Sequence, residues 1–164
     1  MLINNAAIQQ NLNFLYLDRP QLIQQELLTN LFAPMALCQG LIPLLAQQQR
    51  ARIINIGSVL ALSPNTDTPV YNASKAGVRN FTRSLRQQLH STSINVVEVI
   101  PPVTRTRLGD TQKRRSGLSP ETVAQQIILG LKRNRNPVAI GKARLGICLH
   151  RWFPKALDVM IARG

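Results

Sequence analysis

The sequence predicts an α/β fold, a parallel sheet of about four strands with flanking helices. Two observations predict it: short β-branched runs alternate with longer stretches of helical period, and no segment of the chain repeats another. That alternation implies parallel strands, because each helix carries the chain back across a face of the sheet. At 164 residues and 45% apolar composition, the chain is large enough for one core.

The elements follow in order. Leu2 and Ile3 form a short apolar run that ends at the turn-like Asn4 and Asn5. Asp18-Arg19-Pro20 predicts a helix start, with aspartate as cap and proline in the first turn. Apolar residues then recur at helical spacing through Leu22, Ile23, Leu27, Leu31 and Met35 to Leu45, where Pro34 and Pro43 are expected to bend or break the helix. The run from Arg52 to Gly57 reads as a buried strand, and Ser63 to Pro69 as a loop of turn formers. A helix is predicted from Val70 to about Leu89, with Ala73, Gly77, Phe81 and Leu85 along one face. Ile94 to Ile100 is a strand stopped by Pro101 and Pro102. Val103 to Leu118 has no period and is expected to be loop. Ser119-Pro120-Glu121 then opens a helix that runs to about Arg133, with Pro137 to Gly141 as a last strand.

Composition narrows the function classes. The formal charge is +13, which points toward an anionic partner or a solvated basic face. Its two dense runs, Lys113 to Arg115 and Lys132 to Arg135, are not interleaved with aromatics, and seven aromatic residues in all argue against a base-stacking surface, so no specific nucleic-acid partner is expected. Cys38 and Cys148 sit in apolar stretches without metal-ligand spacing, so both are expected to be buried thiols, with no disulfide and no metal. The N-terminus lacks the pattern of a secretory leader, no long uncharged apolar stretch stands out, and the location expected is the cytoplasm.

The chemistry concentrates in Ser58, Tyr71 and Lys75. Tyr71 and Lys75 are four apart at the start of a predicted helix and so share a face, while Ser58 lies just past the carboxyl end of a predicted parallel strand, where open α/β sheets place their sites. A free phenol titrates near pH 10; bringing it to neutrality would take about 4 kcal/mol of differential stabilisation, of the kind a nearby ammonium supplies. Tyr71 would then exchange a proton with a substrate oxygen as hydride moves at the neighbouring carbon, and Ser58 would hydrogen-bond that oxygen. By itself, a tyrosine four residues before a lysine is a common surface pair.

The surrounding sequence adds a resemblance. INIGSVLALSPNTDTPVYNASKAGVRNFTRSL resembles the active-site block of short-chain dehydrogenases/reductases, in which a strand ends at the catalytic serine and a Tyr-x-x-x-Lys helix follows about a dozen residues later. LINNAA resembles that family's Asn-Asn-Ala-Gly segment, with Ala7 where glycine is usual, and PPVTRTRL resembles its Pro-Gly-x-x-x-Thr loop, with Pro102 in place of the glycine. The double proline, LSPETVAQQIILGLKRNR and the basic tail look most like the uncharacterised oxidoreductases named after the operon for D-alanine transfer to lipoteichoic acid. The resemblance implies a Rossmann-type sheet and hydride transfer between NAD or NADP and an alcohol or carbonyl substrate. It implies Asn30, Ser58, Tyr71 and Lys75 as catalytic residues, Asn30 acting through a water relay. Cofactor contacts are implied at Asn5, Ala6 and Ala7, at Tyr71 and Lys75, and at Pro101, Thr104 and Thr106. A homodimer through the two long helices is also implied.

Full-length members of that family open with a glycine-rich Thr-Gly-x-x-x-Gly-x-Gly turn, in which backbone N–H groups at a helix N-terminus hold the pyrophosphate. The nine glycines here never fall at those spacings, so the Rossmann-type sheet is expected to be incomplete. Residues 1–141 are expected to form its C-terminal catalytic part, and 142–164 a basic, helical tail. The tail mixes basic residues with Trp152 and Phe153; packing on the sheet or over the substrate pocket is the favoured expectation, and weak peripheral contact with anionic lipid the alternative. The alternative to an oxidoreductase is a truncated, non-catalytic remnant or interaction protein. Weak NAD(P) binding by the isolated polypeptide is expected, and micromolar affinity in a fluorescence titration with NADH and NADPH would contradict it.

Overall fold

The computed structural model describes residues 1–16, 19–106, 108 and 117–162. Strand β1 (Leu2–Asn4) leads to helix α1 (Pro20–Leu27), a π-helical turn (Leu28–Phe32) and α2 (Ala33–Ala46). Strand β2 (Ala51–Ile56) is followed by a 3₁₀ turn (Val59–Ala61) and the long helix α3 (Pro69–Gln88). Then come β3 (Ile94–Ile100), α4 (Pro120–Lys132), β4 (Val138–Ala139), α5 (Ala143–Trp152) and α6 (Pro154–Ala162).

The four strands form one parallel sheet in the order β1-β2-β3-β4, with Ile53 opposite both Leu2 and Val96, and Val99 opposite Val138. Strands β2 and β3 are interior, so both of their faces need apolar cover, and that is why they read as nearly continuous Ile and Val. Alternate residues serve two cores. Ala51, Ile53, Ile94 and Val96 pack with Cys38 and Leu45 of α2 and Leu85 of α3. Ile54, Val97, Val99 and Val138 pack on the other face with Val123 and the half-buried Ile127 and Leu131 of α4. The long helices thus cover one face, and α4 covers the other.

Three expectations are revised. Pro43 lies inside α2 without ending it; the break in α-helical register comes earlier, at the π turn. The reason is Pro34, which has no N–H for the carbonyl four residues back, so the helix must loosen ahead of it. The buried face of α3 is only in part the apolar stripe of Ala73, Gly77, Phe81 and Leu85: Leu85 is buried in the core and Phe81 packs half-buried against it. Ala73 is exposed, whereas Tyr71, Ser74, Lys75 and Thr82 are buried. Gly77 faces the π turn closely enough that a Cβ there would lie 2.9 Å from Leu31. Cys148, finally, is exposed, while Cys38 is buried. The helix start predicted at Asp18 and the basic run Lys113 to Arg115 lie outside the described residues; Pro20 does occupy the first helical position. The run from α1 to α2, Pro20–Ala46, is long and apolar enough by length and composition to cross a membrane, although it packs on α3 and buries Glu26 and Asn30.

Polar groups tie the sheet to α3. Asn4 Nδ2 donates to Asn55 Oδ1 at 2.7 Å, Asn55 Nδ2 to Thr82 Oγ1 at 2.8 Å, and Thr82 Oγ1 to the Val78 carbonyl at 2.6 Å. Further along, Arg79 Nη1 reaches both carboxylate oxygens of the buried Glu98 at 2.8 Å. Burial pushes the Glu98 carboxyl up, and the Arg79 guanidinium opposes that only in part. Replacing Arg79 with alanine strands a buried acid and is expected to cost about 3–5 kcal/mol at neutral pH. The carboxyl can recover part of this by staying protonated. The deficit in urea midpoint should therefore shrink as the pH is lowered toward 5.

Candidate active site

A parallel sheet gathers the outgoing ends of its strands along one edge, and the residues singled out in the sequence lie along it. Ser58 follows β2 by two residues and caps the 3₁₀ turn, its Oγ accepting from Leu60 N at 3.1 Å. Tyr71 and Lys75 occupy the first two turns of α3. The start of that helix is braced from the preceding loop: Thr68 Oγ1 donates to Asn65 Oδ1 at 2.7 Å, and Asn72 Nδ2 donates to the Asn65 carbonyl at 2.8 Å. Pro69 stands at the first helical positions, where the missing N–H costs nothing.

The structure brings Ser58, Tyr71 and Lys75 together. The Ser58 hydroxyl lies near enough to the Tyr71 phenol to pull its pKa down. Lys75 Nζ donates to the Ile56 carbonyl at 2.8 Å and lies 5.7 Å from the centroid of the Tyr71 ring. Burial dominates the electrostatics of both groups. The phenol is pushed up to about 12 by burial, against the pull of Ser58 and with a further push from the negative charge of Glu26. Lys75 is lowered to about 8 by burial. The expectation of a phenol brought toward neutrality by its lysine is therefore corrected, since desolvation disfavours the phenolate more than its neighbours favour it.

Asn30 sits in the π turn and is buried. It forms a two-way bond with one peptide unit: Ile8 N donates to its Oδ1 and its Nδ2 donates to the Ile8 carbonyl, both at 2.8 Å. The same Nδ2 reaches Ser74 Oγ at 3.2 Å, and Ser74 Oγ donates to the Tyr71 carbonyl at 2.7 Å. Asn30 thus joins the loop after β1 to the turn of α3 that carries Tyr71. Pro34 withholds from the Asn30 main-chain carbonyl the N–H that an unbroken α-helix would supply.

Asn5, Ala6 and Ala7 follow the end of β1, with Asn5 and Ala6 exposed. Pro101 follows β3, and its loop is pinned by a parallel bridge between Thr104 and Leu118. Thr104 Oγ1 donates to the Pro102 carbonyl at 2.9 Å, while the exposed Thr106 accepts from Leu108 N at 3.3 Å. These residues share the carboxyl edge of the sheet with the cluster, and these bonds stay within their own loop.

Sequence reasoning missed two residues. Ser74 carries the link between Asn30 and Tyr71, and nothing distinguishes it from other helical serines until the fold sets it beside Asn30. Glu26 is 0% exposed, one oxygen accepting from Gln10 N at 3.4 Å and the other without a partner among the described residues. Its signal was available: it lies one helical turn before Asn30, on the same side of the helix, and is the only acid between Arg19 and Thr66.

A family model for short chain dehydrogenases matches residues 1–116, and the chain belongs to that family. It is 34% identical over 149 residues to the uncharacterized oxidoreductase DltE of Bacillus subtilis, an alignment that takes in 84% of this chain and 57% of that protein. To ketoacyl reductase HetN of Nostoc it is 32% identical, over 96% of this chain and 59% of the relative. A solved short-chain dehydrogenase from Sphingobium yanoikuyae, in complex with NADPH, matches with a TM-score of 0.78 at 27% identity, over 97% of this chain and 61% of that one. Another, from Burkholderia cenocepacia in complex with NADP, matches with a TM-score of 0.86 at 22% identity, over 98% of this chain and 69% of that one, which shows the shared fold. The chain therefore spans about two fifths to three fifths of the length of the curated relatives it matches.

Lys75 gives the site a pH signature. Below about pH 8 its amine is charged in both the folded and the unfolded chain. Between about 8 and the ordinary value of 10.5 the unfolded chain holds more protons, so stability rises with pH across that window. Lys75→Met lacks this term. Its urea midpoint should exceed the wild type's most at neutral pH, and the gap should narrow toward pH 10.

Proposed function

We propose that the chain carries the proton-transfer centre of an NAD(P)-dependent oxidoreductase working in the direction of carbonyl reduction. The observation that carries this reading is the phenol of Tyr71, neighboured by Ser58 and backed by the Lys75 ammonium, at the carboxyl edge of a parallel sheet. A phenol held near 12 is fully protonated at neutral pH, so it is a donor, and reduction of a carbonyl needs a donor at the substrate oxygen. Relatives bearing the names ketoacyl reductase, 3-oxoacyl-[acyl-carrier-protein] reductase and carbonyl reductase support the same direction.

The residues along the edge fit the nicotinamide end of the cofactor. Asn5 and Ala6 are exposed where β1 ends, Ala6 and Ala7 carry side chains small enough for close approach to their backbone, and Thr104 and Thr106 offer backbone and hydroxyl beyond Pro101. Tyr71 and Lys75 would meet the ribose. When bound, the nicotinamide supplies the hydride that the substrate carbon receives. Ser58 orients the carbonyl oxygen, and Tyr71 gives that oxygen its proton. Lys75, largely an ammonium at neutral pH, offsets the charge left on the phenol. The main-chain carbonyl of Asn30, which receives no α-helical N–H from Pro34, can hold the water through which Tyr71 is reprotonated. Residues 1–141 thus read as the catalytic part, working in the cytoplasm. The apolar groove along Ile23, Leu27, Leu31 and Met35, beside the exposed Phe32, supports pairing of two copies through the long helices.

The test is loss of NADPH or NADH absorbance at saturating cofactor with a panel of ketones and 3-oxoacyl thioesters. Tyr71→Phe is expected to lower kcat by roughly 10²–10⁴-fold. Full activity in Tyr71→Phe would overturn the assignment. Absence of turnover across the panel would favour a non-catalytic remnant.

A further inference from the structure

The end of the chain carries a surface that the proposed chemistry does not use. Helix α5 packs on the turn after Ser58 through a narrow face: Ala143 and Gly146 are buried, and a Cβ at Gly146 would lie 3.1 Å from Val59. Helix α6 is held by the buried Leu157 and by Ser63 Oγ, which donates to Asp158 at 2.6 Å. Everything opposite these anchors faces out. On α5, Leu145, Cys148 and Trp152 recur at three, four and seven residues and form one exposed apolar stripe. Leu145, Trp152 and Phe153 are 66%, 67% and 65% exposed, and Val159 and Met160 of the adjoining α6 are exposed as well. Single exposed apolar residues need no explanation, but a stripe led by adjacent Trp and Phe does.

Charge says what covers it. Arg144 and Arg151 border the stripe one step around the helix, and Lys142 and Lys155 stand at its two ends, all exposed. From Lys132 to Lys155 the chain has seven Lys and Arg and no Asp or Glu. The nearest acid, Asp158, accepts a hydrogen bond from Ser63. Arg151 lies 5.6 Å from the ring of Trp152, so cation and aromatic body form one amphipathic unit. An apolar stripe edged by cations is complementary to a surface with negative headgroups above hydrocarbon. Nucleic acid would satisfy the cations but would leave Leu145, Val159 and Met160 in water.

We infer that the outer face of α5 and α6 docks on an anionic phospholipid membrane, with Trp152 and Phe153 entering the interface and Arg151 and Lys155 meeting the headgroups. The attachment is peripheral and reversible, and it stands whether or not the chain reduces carbonyls.

Trp152 is the chain's single tryptophan, so its emission reports this face alone. Purified protein is mixed with vesicles of phosphatidylcholine, with or without phosphatidylglycerol, and both sedimentation and tryptophan emission are followed. Binding and a blue shift are expected with the anionic vesicles only, and added salt should reverse both. Binding should weaken by about tenfold or more in Trp152→Ala/Phe153→Ala, whose charge is unchanged, and by a similar factor in Arg151→Glu/Lys155→Glu. All four positions are exposed, and an unchanged melting temperature checks the fold of each variant. Several results would overturn the inference: equal binding to neutral vesicles, sedimentation without an emission shift, or wild-type binding by the Trp/Phe variant. An equal emission shift with duplex DNA would do so too.

Discussion

Lys75 is 4% exposed, with its ammonium on the Ile56 carbonyl at 2.8 Å, and a cation taken that far out of water constrains everything around it. The carbonyl it needs is the last of β2, so α3 must enter the fold at the height where that strand ends. That height is set by the braced loop from Asn65 to Asn72 and by Gly77, which lets the helix approach Leu31. Once Lys75 is fixed, Tyr71 lies one turn earlier on the same face and meets Ser58, which emerges from the same strand. The cluster is thus a consequence of helix pitch and strand end rather than of three independent placements.

The same low-dielectric interior explains the polarity of the site. Burial raises the phenol, lowers the amine and leaves Glu26 with an unpartnered oxygen, its carboxyl pushed up as well. The phenol and the amine are thus held toward their uncharged forms by the same cause. The π turn belongs to this economy: a helix that must accommodate Pro34 loosens where Asn30 needs to face two neighbours, and wide turns of this kind recur at functional positions.

Much of this was legible in the residues. The β-branched runs of β2 and β3, the helix from Pro69 to Gln88 and the cap at Ser119, whose Oγ accepts from Thr122 N at 3.2 Å, follow from local preference, which the tertiary fold here reinforces. The spacing of Ser58, Tyr71 and Lys75 was equally plain, because helical pitch alone puts the last two on one face. What escaped was whatever depends on packing between distant segments. The inward face of α3 carries, beside Phe81 and Leu85, polar side chains whose partners, Asn55, Glu98 and Ile56, lie on strands 19 or more residues away, and an apolar-stripe rule does not find them. The phenol's direction of titration escaped for the same reason. A sequence shows which charges are near in the chain, but not how much water the fold removes.

The bond between Asn30 and residue 8 has an evolutionary corollary. Because Asn30 reads a peptide unit, N–H and C=O together, it is indifferent to which side chain residue 8 carries. These two bonds by themselves exclude only proline at position 8, whereas position 30 needs a primary amide of that length to make them. Neighbours in space can therefore show opposite substitution tolerance, and a strongly coupled pair of positions can leave no trace of covariation.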